Sequence, residues 1–256
     1  MPFIPVQGER LFYARHRGGL RATPLLLIHG AGGSHLQWPA ALRRLPDADA
    51  YVLDLPGHGR SGGVGRQSIA AYRDAILGFM DRIGMERSAL AGHSMGGAIA
   101  LEMALRYPNR LMGLVLIGSG ARLRVAPALL EGLQTDFRGA VEQLCAWLFA
   151  ESAPEQLRRT ARQQLLAASP QVVYGDFLAC DRFDVMGELG RVETPTLVVC
   201  GTADRMTPLK YSQHLAGAIP EARLETIPGG GHMVMLEQPE TVAQAVRAFL
   251  GRLAGV

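Results

Sequence analysis

Short apolar runs alternate with longer segments of helical periodicity along most of the chain. Several of these runs have the pattern of buried strands, at 24–30, 50–57, 88–94, 111–120, 194–204 and 222–230. Between them, apolar residues recur at i, i+3 and i+4, which indicates amphipathic helices. The alternation predicts an α/β fold in which a mostly parallel sheet carries helices on both faces. An antiparallel hairpin that turns at Gln7–Gly8 is expected to precede this sheet.

The segment 121–190 breaks the alternation because it contains no convincing strand. It is rich in Ala, Leu, Gln and Arg, and the spacing of its apolar residues predicts three or four short helices. We therefore expect a helical cap, inserted at 121–190 into a core formed by 1–120 and 191–256, that covers one edge of the sheet. The alternative is that these helices pack as ordinary flanking helices.

The composition restricts the classes of function. The chain has 256 residues, long enough for one sizeable core, and a net charge of only +3. Its basic residues are scattered rather than gathered into a stripe that would bind nucleic acid or an anionic membrane. Its three cysteines are far apart, and their odd number argues against a disulfide framework. Neither CxxC nor HExxH is present to indicate a metal site.

The amino terminus and the apolar runs bear on location. The start, MPFIPVQGER, lacks the basic and then apolar regions of a signal peptide. The longest apolar runs fall well below the roughly 18 to 20 residues needed to span a bilayer. The nucleotide motif G-x-G-x-x-G fails at His35, and no G-x-x-x-x-G-K-[ST] occurs. We therefore expect a cytoplasmic protein that uses no cofactor and has no membrane or nucleic-acid partner.

Residues 92–96, GHSMG, fit the pattern G-x-S-x-G between an apolar strand and a helix, which is the context that this motif requires. The turn is so tight that its central residue takes a strained backbone conformation. Glycines at its two ends remove Cβ atoms that would otherwise collide. Ser94 is then exposed at the carboxyl end of its strand, where open α/β sheets bind their ligands. We predict that Ser94 is a nucleophile.

A second G-x-S-x-G occurs at 59–63, around Ser61. It follows PGHG rather than a strand, and it continues into GVGRQS rather than a helix. Because nothing there would hold a strained turn, we expect Ser61 to belong to a loop near the site.

A nucleophilic serine needs an adjacent base that is oriented by a third group. Among the histidines, His232 is best placed, because it follows the last predicted strand in a glycine-rich loop at the same edge of the sheet as Ser94. Asp204 follows the preceding strand, and we expect it to accept a hydrogen bond from Nδ1 of His232. Carboxylates on the predicted cap helices are interpreted as surface charge: Asp176, Asp181 and Asp184.

Attack of Ser94 on an acyl carbon would place negative charge on the carbonyl oxygen, which two preorganised N–H donors can stabilise. One predicted donor is the N–H of Met95, at the positive end of the following helix. The other is the N–H of Ala31, in the loop after the strand at 24–30. Gly32 and Gly33 would let that loop approach a substrate closely.

The chain resembles the α/β-hydrolase superfamily over nearly its whole length, through the motifs LLLIHGAGG, DLPGHGRSGG, GHSMGG, GTADRMTP and GGGHMVMLEQP. It is most similar to the small capped branch that holds carboxylesterases, monoacylglycerol lipases, enol-lactonases and cofactor-free perhydrolases. The resemblance implies a triad in the chain order Ser94, Asp204, His232 and a helical cap over the acyl pocket. Serine at position 94 differs from the aspartate nucleophile of dehalogenases and epoxide hydrolases.

From these residues we expect a serine carboxylesterase that acts on short- to medium-chain esters through an acyl-enzyme. The predicted substrate contacts are apolar side chains of the cap or of the oxyanion loop's end: Trp38, Leu133, Phe137 and Trp147. An enol-lactonase or perhydrolase with the same triad is one alternative. Another is a hydrolase-fold receptor that binds a ligand without turnover, against which the complete triad argues.

Overall fold

The computed structural model describes residues 2–253, and its centre is an eight-stranded sheet. The strands are β1 Phe3–Val6, β2 Glu9–His16, β3 Thr23–Ile28, β4 Ala48–Leu53, β5 Ser88–His93, β6 Leu111–Ile117, β7 Thr196–Gly201 and β8 Arg223–Ile227. Their order across the sheet is β1-β2-β4-β3-β5-β6-β7-β8. The pairings of β2 with β1 and with β4 are antiparallel, and the other pairings are parallel. The predicted α/β fold with a mostly parallel sheet is confirmed.

Helices cover both faces of the sheet. Those within residues 2–253 are α1 Ala40–Arg43, α2 Ile69–Arg82, α3 Met95–Arg106, α4 Pro127–Thr135, α5 Phe137–Leu148, α6 Glu155–Ala167, α7 Pro170–Asp181, α8 Leu209–Ala218, α9 Val234–Glu237 and α10 Pro239–Leu253. In the same part of the chain, no helix is both long enough and apolar enough to cross a bilayer.

The side-chain alternation along β3 shows how the core is divided between the two faces. Leu26 and Ile28 belong to the cluster formed with α2 and α3, whereas Leu25 and Leu27 belong to the cluster formed with α1 and α10. All of them are fully buried. Burial of one such side chain stabilises the fold by about 1.5–3 kcal/mol, so a strand that is apolar on both faces is held firmly between the layers.

Helices α4 to α7 lie between β6 and β7, within the segment that the sequence pattern assigned to a cap. They build a small core of their own from Leu129, Leu133, Ala140, Leu144, Val173 and Phe177. Asp136 caps the start of helix α5, because its side chain accepts a hydrogen bond from the N–H of Gly139. Leucines of α5 and α6 line the same cavity as Ser94. Helices α4 to α7 are called the cap below.

Candidate active site

Ser94 lies in the turn between β5 and α3. Its backbone has φ +52° and ψ −116°, a conformation that costs a residue with a side chain about 1–3 kcal/mol. Glycine is required at 92 and 96, because a Cβ atom at either position would overlap a neighbouring backbone carbonyl. Two hydrogen bonds hold the turn: Ser94 N donates to Ile117 O at 2.9 Å, and Ser119 Oγ donates to Ser94 O at 2.8 Å. The strain is therefore sustained by β6 and the loop after it.

The predicted base and acid lie side by side. His232 Nδ1 is 2.9 Å from Asp204 Oδ2, and both side chains are buried. Asp204 also accepts hydrogen bonds from the N–H groups of Met206 and Thr207 and from the hydroxyl of Thr207. Burial alone would raise the pKa of Asp204, but the adjacent His232 and these hydrogen bonds outweigh burial and hold that pKa below its ordinary value. Because an ionised carboxylate only accepts, Nδ1 of His232 carries the proton and Nε2 remains free to act as a base.

Ser94, His232 and Ala31 line one cavity of about 130 Å³. Much of the rest of its wall is apolar and comes from the cap and from the region of α9: Leu144, Leu148, Leu157, Leu165, Phe177, Met233 and Leu236. Uncharged polar side chains are also present: Gln37, Thr160 and Gln164. Among residues 2–253, no Lys, Arg, Asp or Glu lines the cavity. The space beside Ser94 therefore suits a neutral and largely apolar group.

The loop predicted to supply an oxyanion donor is a tight turn. Gly33 N donates to Gly30 O at 3.1 Å, and Gly32 has φ +62°, as the second central residue of a type II turn does. Ala31 borders the cavity, and Met95 is the first residue of α3. Within the part of the chain that the structure describes, no protein acceptor engages the N–H group of Ala31 or Met95. Both groups are available to a substrate oxygen, and their role as donors stays a prediction.

The predicted substrate contacts do not lie on the cavity wall. Trp38 is only 1% exposed and packs in the core on the sheet face covered by α1 and α10. Leu133 is part of the core of the cap itself, on α4. Phe137 and Trp147 pack against that same cap core from α5. The assignment of these four side chains to the acyl pocket is therefore corrected.

Helix geometry explains the correction on α5. The helix presents Leu144 and Leu148 to the cavity. Trp147 precedes Leu148 by one residue, so its side chain points about 100° away around the helix axis. Phe137 shares the face of Leu144 but lies two turns earlier, about 10 Å along the axis. Apolar composition identified the segment, whereas the rotational position of each residue on its helix decides which of them meets a ligand.

Ser61 is a structural residue of the loop that follows β4. Its Oγ donates to Asp54 O at 2.6 Å and accepts from Phe12 N at 2.8 Å. These two bonds tie the loop to β2 and to the residue that follows β4. Ser61 does not line the cavity that contains Ser94.

Asp176 is the residue near the site that sequence reasoning missed, and its interpretation as surface charge was wrong. Its side chain on α7 is fully buried and accepts hydrogen bonds from Gly32 N at 2.8 Å, from His58 Nε2 at 2.7 Å and from the hydroxyl of Tyr72. The helical spacing held a signal, because Asp176 follows the buried Val172 by four residues and so lies on the apolar face of α7. A carboxylate on a buried face needs polar partners.

Comparison with known proteins connects these features to one group of enzymes. The sequence profile described as "Alpha/beta hydrolase family" matches residues 25–245. The chain is 33% identical over 260 residues to the dihydrolipoyllysine-residue acetyltransferase component of the acetoin cleaving system of Pseudomonas putida, which covers 95% of this chain and 67% of that protein.

Two further similarities cover nearly the whole length of both partners. RutD of Pseudomonas savastanoi pv. phaseolicola, whose name provisionally assigns it carbamate hydrolysis, is 32% identical over 262 residues, or 94% of this chain and 98% of that protein. A solved structure described as that of a thermophilic esterase is 33% identical and has a TM-score of 0.87, covering 98% of this chain and 97% of the other.

Proposed function

Since the chain belongs to the α/β hydrolase family, we propose that it is a serine esterase that hydrolyses small, neutral carboxylic esters at Ser94. One arrangement carries the proposal. Ser94, in a strained turn, shares an apolar cavity with His232, and Asp204 holds Nδ1 of that histidine. A nucleophile, a base and an orienting carboxylate are the groups that acyl transfer to serine requires. The similarity to a thermophilic esterase supports the same class of reaction.

In the acylation step, Oγ of Ser94 attacks the ester carbonyl carbon while Nε2 of His232 takes the hydroxyl proton. The π electrons of the carbonyl move to its oxygen, and a tetrahedral oxyanion forms. Asp204 stabilises the imidazolium of His232. When the oxyanion collapses, the bond to the alcohol oxygen breaks, and His232 gives its proton to the departing alcohol. The acyl group then remains on Ser94.

The oxyanion is stabilised by the N–H groups of Ala31 and Met95 in this mechanism. Each such donor is worth about 10²–10³ in rate. Met95 is the first residue of α3, so the helix dipole adds a favourable field for negative charge. The glycine turn that carries Ala31 brings bare backbone close to the substrate, which is the reason a loop of this composition follows β3.

Deacylation repeats the same chemistry with water. His232 takes a proton from a water molecule, and the resulting hydroxide attacks the acyl carbon. The second oxyanion meets the same two N–H donors. Its collapse breaks the bond to Oγ, and His232 returns a proton to Ser94. The products are a carboxylic acid and the free enzyme.

The apolar wall determines which acyl groups are favoured. Each methylene that reaches it gains about 0.8 kcal/mol until the wall is met. Overfilling then costs about 1–3 kcal/mol. With leucines of α5 and α6 closing the cavity above Ser94, we expect kcat/KM to be highest for acyl chains of about four to eight carbons and to fall for longer ones. The uncharged wall gives a free carboxylate on the substrate no partner.

The test is a series of p-nitrophenyl esters from acetate to palmitate, measured on the wild type, Ser94→Ala and Ser61→Ala. Wild type and Ser61→Ala should share one profile, while Ser94→Ala should lose at least about 10³-fold in kcat. Full activity in Ser94→Ala would refute the proposal. Lactones, carbamates and peracid formation are measured in parallel. If one of these substrates has a higher kcat/KM than the best ester, Ser94 remains the nucleophile but the proposed substrate class is wrong.

A further inference from the structure

The turn that carries the predicted oxyanion donor is held by the cap. Gly32, directly after Ala31, donates its N–H to Asp176 Oδ2 at 2.8 Å. A Cβ atom on Gly32 would lie 2.7 Å from Cδ2 of Leu165 and 3.4 Å from Cγ2 of Val173. Side chains of α6 and α7 therefore press against this turn and bond to it, although the turn itself belongs to the core of the fold.

His58 is the second buried partner of Asp176. His58 Nε2 is 2.7 Å from Asp176 Oδ2, and Nδ1 is 3.0 Å from Pro56 O. Burial alone would lower the pKa of His58, but the negative charge of Asp176 and the hydrogen bond to it raise that pKa above its ordinary value. Both ring nitrogens thus face oxygen atoms, and a ring that carries a proton on each nitrogen satisfies both. The hydroxyl of Tyr72 donates to the other carboxylate oxygen and completes the set.

The N–H that Asp176 accepts belongs to the central peptide of the turn formed by residues 30–33. Type I and type II turns differ by a rotation of this peptide. The φ of +62° at Gly32, after Ala31 whose φ is not positive, is that of type II. In the rotated form, the carbonyl oxygen of Ala31 would face the carboxylate of Asp176 and be repelled. An acceptor oxygen fixed at this place therefore selects one form of the turn.

We infer that Asp176 is a positioning residue for the oxyanion hole. From the cap, it fixes the peptide that follows Ala31 and so restrains the backbone that places the N–H of Ala31 where the substrate oxygen develops negative charge. The inference rests on the proposed esterase function. A displacement of about 1 Å in a catalytic group can cost on the order of 10²-fold in rate. Helix α7 therefore contributes to catalysis through Asp176, and it also forms part of the wall around the acyl group.

The test compares Asp176→Asn and Asp176→Ala with a matched control, Asp181→Asn, on p-nitrophenyl butyrate. Asparagine keeps one oxygen acceptor but replaces the other carboxyl oxygen by an amide group, and alanine lacks both oxygens. Asp181, on the same helix, accepts from Val125 N at 3.0 Å within the cap. We expect kcat to fall about 10-fold in Asp176→Asn and about 100-fold in Asp176→Ala, with KM changed by less than about 3-fold. Asp181→Asn should keep the kcat of the wild type.

Butylboronic acid provides a readout that a purely structural role would not change, because it forms a tetrahedral adduct on a serine nucleophile. Its inhibition constant should rise by the factor by which kcat/KM falls. Each variant is assayed well below its own Tm. A lowered Tm with unchanged kcat and unchanged boronate affinity would overturn the inference, since Asp176 would then only stabilise the cap. A failure of the esterase proposal is seen separately, as retained activity in Ser94→Ala.

A measurement on the wild type decides the matter if neither variant at Asp176 folds. Hydrogen exchange followed by NMR should show the Gly32 amide protected at least about 100-fold relative to the amide of Gly63. Gly63 is exposed, and its N–H has no acceptor among residues 2–253. If Gly32 exchanges as fast as Gly63, its hydrogen bond does not hold the turn, and the inference fails.

Discussion

The imidazole of His93 donates a hydrogen bond from Nε2 to the carbonyl oxygen of His232 at 3.0 Å. The residue before the predicted nucleophile thereby fixes the backbone of the predicted base, and the two rings pack with their centroids 4.7 Å apart. Nδ1 of His93 has no hydrogen-bond partner among the described residues. Burial, together with the neighbouring His232, lowers the pKa of His93 to about 3. The ring is therefore neutral in the folded protein.

This buried neutral ring predicts a loss of stability in mild acid. In the unfolded chain, His93 takes up a proton as the pH falls through its ordinary pKa, whereas in the folded protein it does so only near pH 3. Protonation thus favours the unfolded state between these values, and at pH 5 the cost from His93 is about 2 kcal/mol relative to pH 7. His93→Gln keeps a donor and removes the titration. Urea unfolding at pH 7 and pH 5 should show a smaller loss in the variant by about that amount.

His29 and His58 are present in both the wild type and His93→Gln, so their contributions to the pH dependence of stability cancel. Burial lowers the pKa of His29 to about 4, which adds to the acid loss, whereas the raised pKa of His58 opposes it. Equal losses of stability in the wild type and in His93→Gln would contradict the prediction.

The length of the acyl chain should be set by the cavity face of α5. Leu148→Ala removes side-chain carbons from the cavity wall, so the best p-nitrophenyl ester should become longer by about two to three carbons. Leu133→Ala is the matched control, because Leu133 is buried in the cap core away from the cavity. It should lower the free energy of unfolding by about 2–5 kcal/mol and leave the chain-length profile unchanged. The reverse pattern would mean that the cavity beside Ser94 does not hold the acyl group.

Asp204 should act by holding His232 in one tautomer. Asp204→Asn keeps the size of the side chain but offers no ionised acceptor to Nδ1, so kcat should fall by about 10⁴-fold. Asp184→Asn is the control, because the side chain of Asp184 is 40% exposed at the surface. The kcat of this variant should equal that of the wild type. Steady-state kinetics on the best ester measure both. A tenfold loss of kcat corresponds to about 1.4 kcal/mol of activation free energy. A loss smaller than this in Asp204→Asn would show that Asp204 takes no part in the mechanism.

Removal of divalent metals should leave the activity intact. Every step of the proposed mechanism is assigned to a side chain or a backbone N–H, and none is assigned to a metal ion. Ester hydrolysis is measured before and after exhaustive treatment with EDTA followed by dialysis. A loss of activity that a divalent metal restores would contradict the triad mechanism.

The sequence was most informative where steric constraint leaves few choices. The two glycines of GHSMG are required by the strained turn at Ser94, and the same constraint in the structure excludes a Cβ atom at either glycine. The apolar runs likewise predicted the parallel strands, because a strand buried on both faces has few polar residues. The positions of Asp204 and His232 followed from one rule, that the carboxyl ends of parallel strands meet at one edge.

Side-chain direction in the cap could not be predicted in the same way. Trp38 and Trp147 are large and apolar, yet one is buried under the sheet and the other faces the cap core. Which side of a helix meets the cavity depends on how the cap docks, and that is decided by contacts distant in sequence. Asp176 illustrates this, since its partners Gly32, His58 and Tyr72 are more than 100 residues away along the chain.

Covalent labelling tests directly whether Ser94 is the nucleophile. The wild type is treated with a fluorophosphonate, and its mass is measured intact and after proteolytic digestion. We expect one adduct per chain, located on Ser94, with the same labelling in Ser61→Ala and none in Ser94→Ala. An unlabelled wild type that hydrolyses esters, or an adduct located on Ser61, would contradict this expectation.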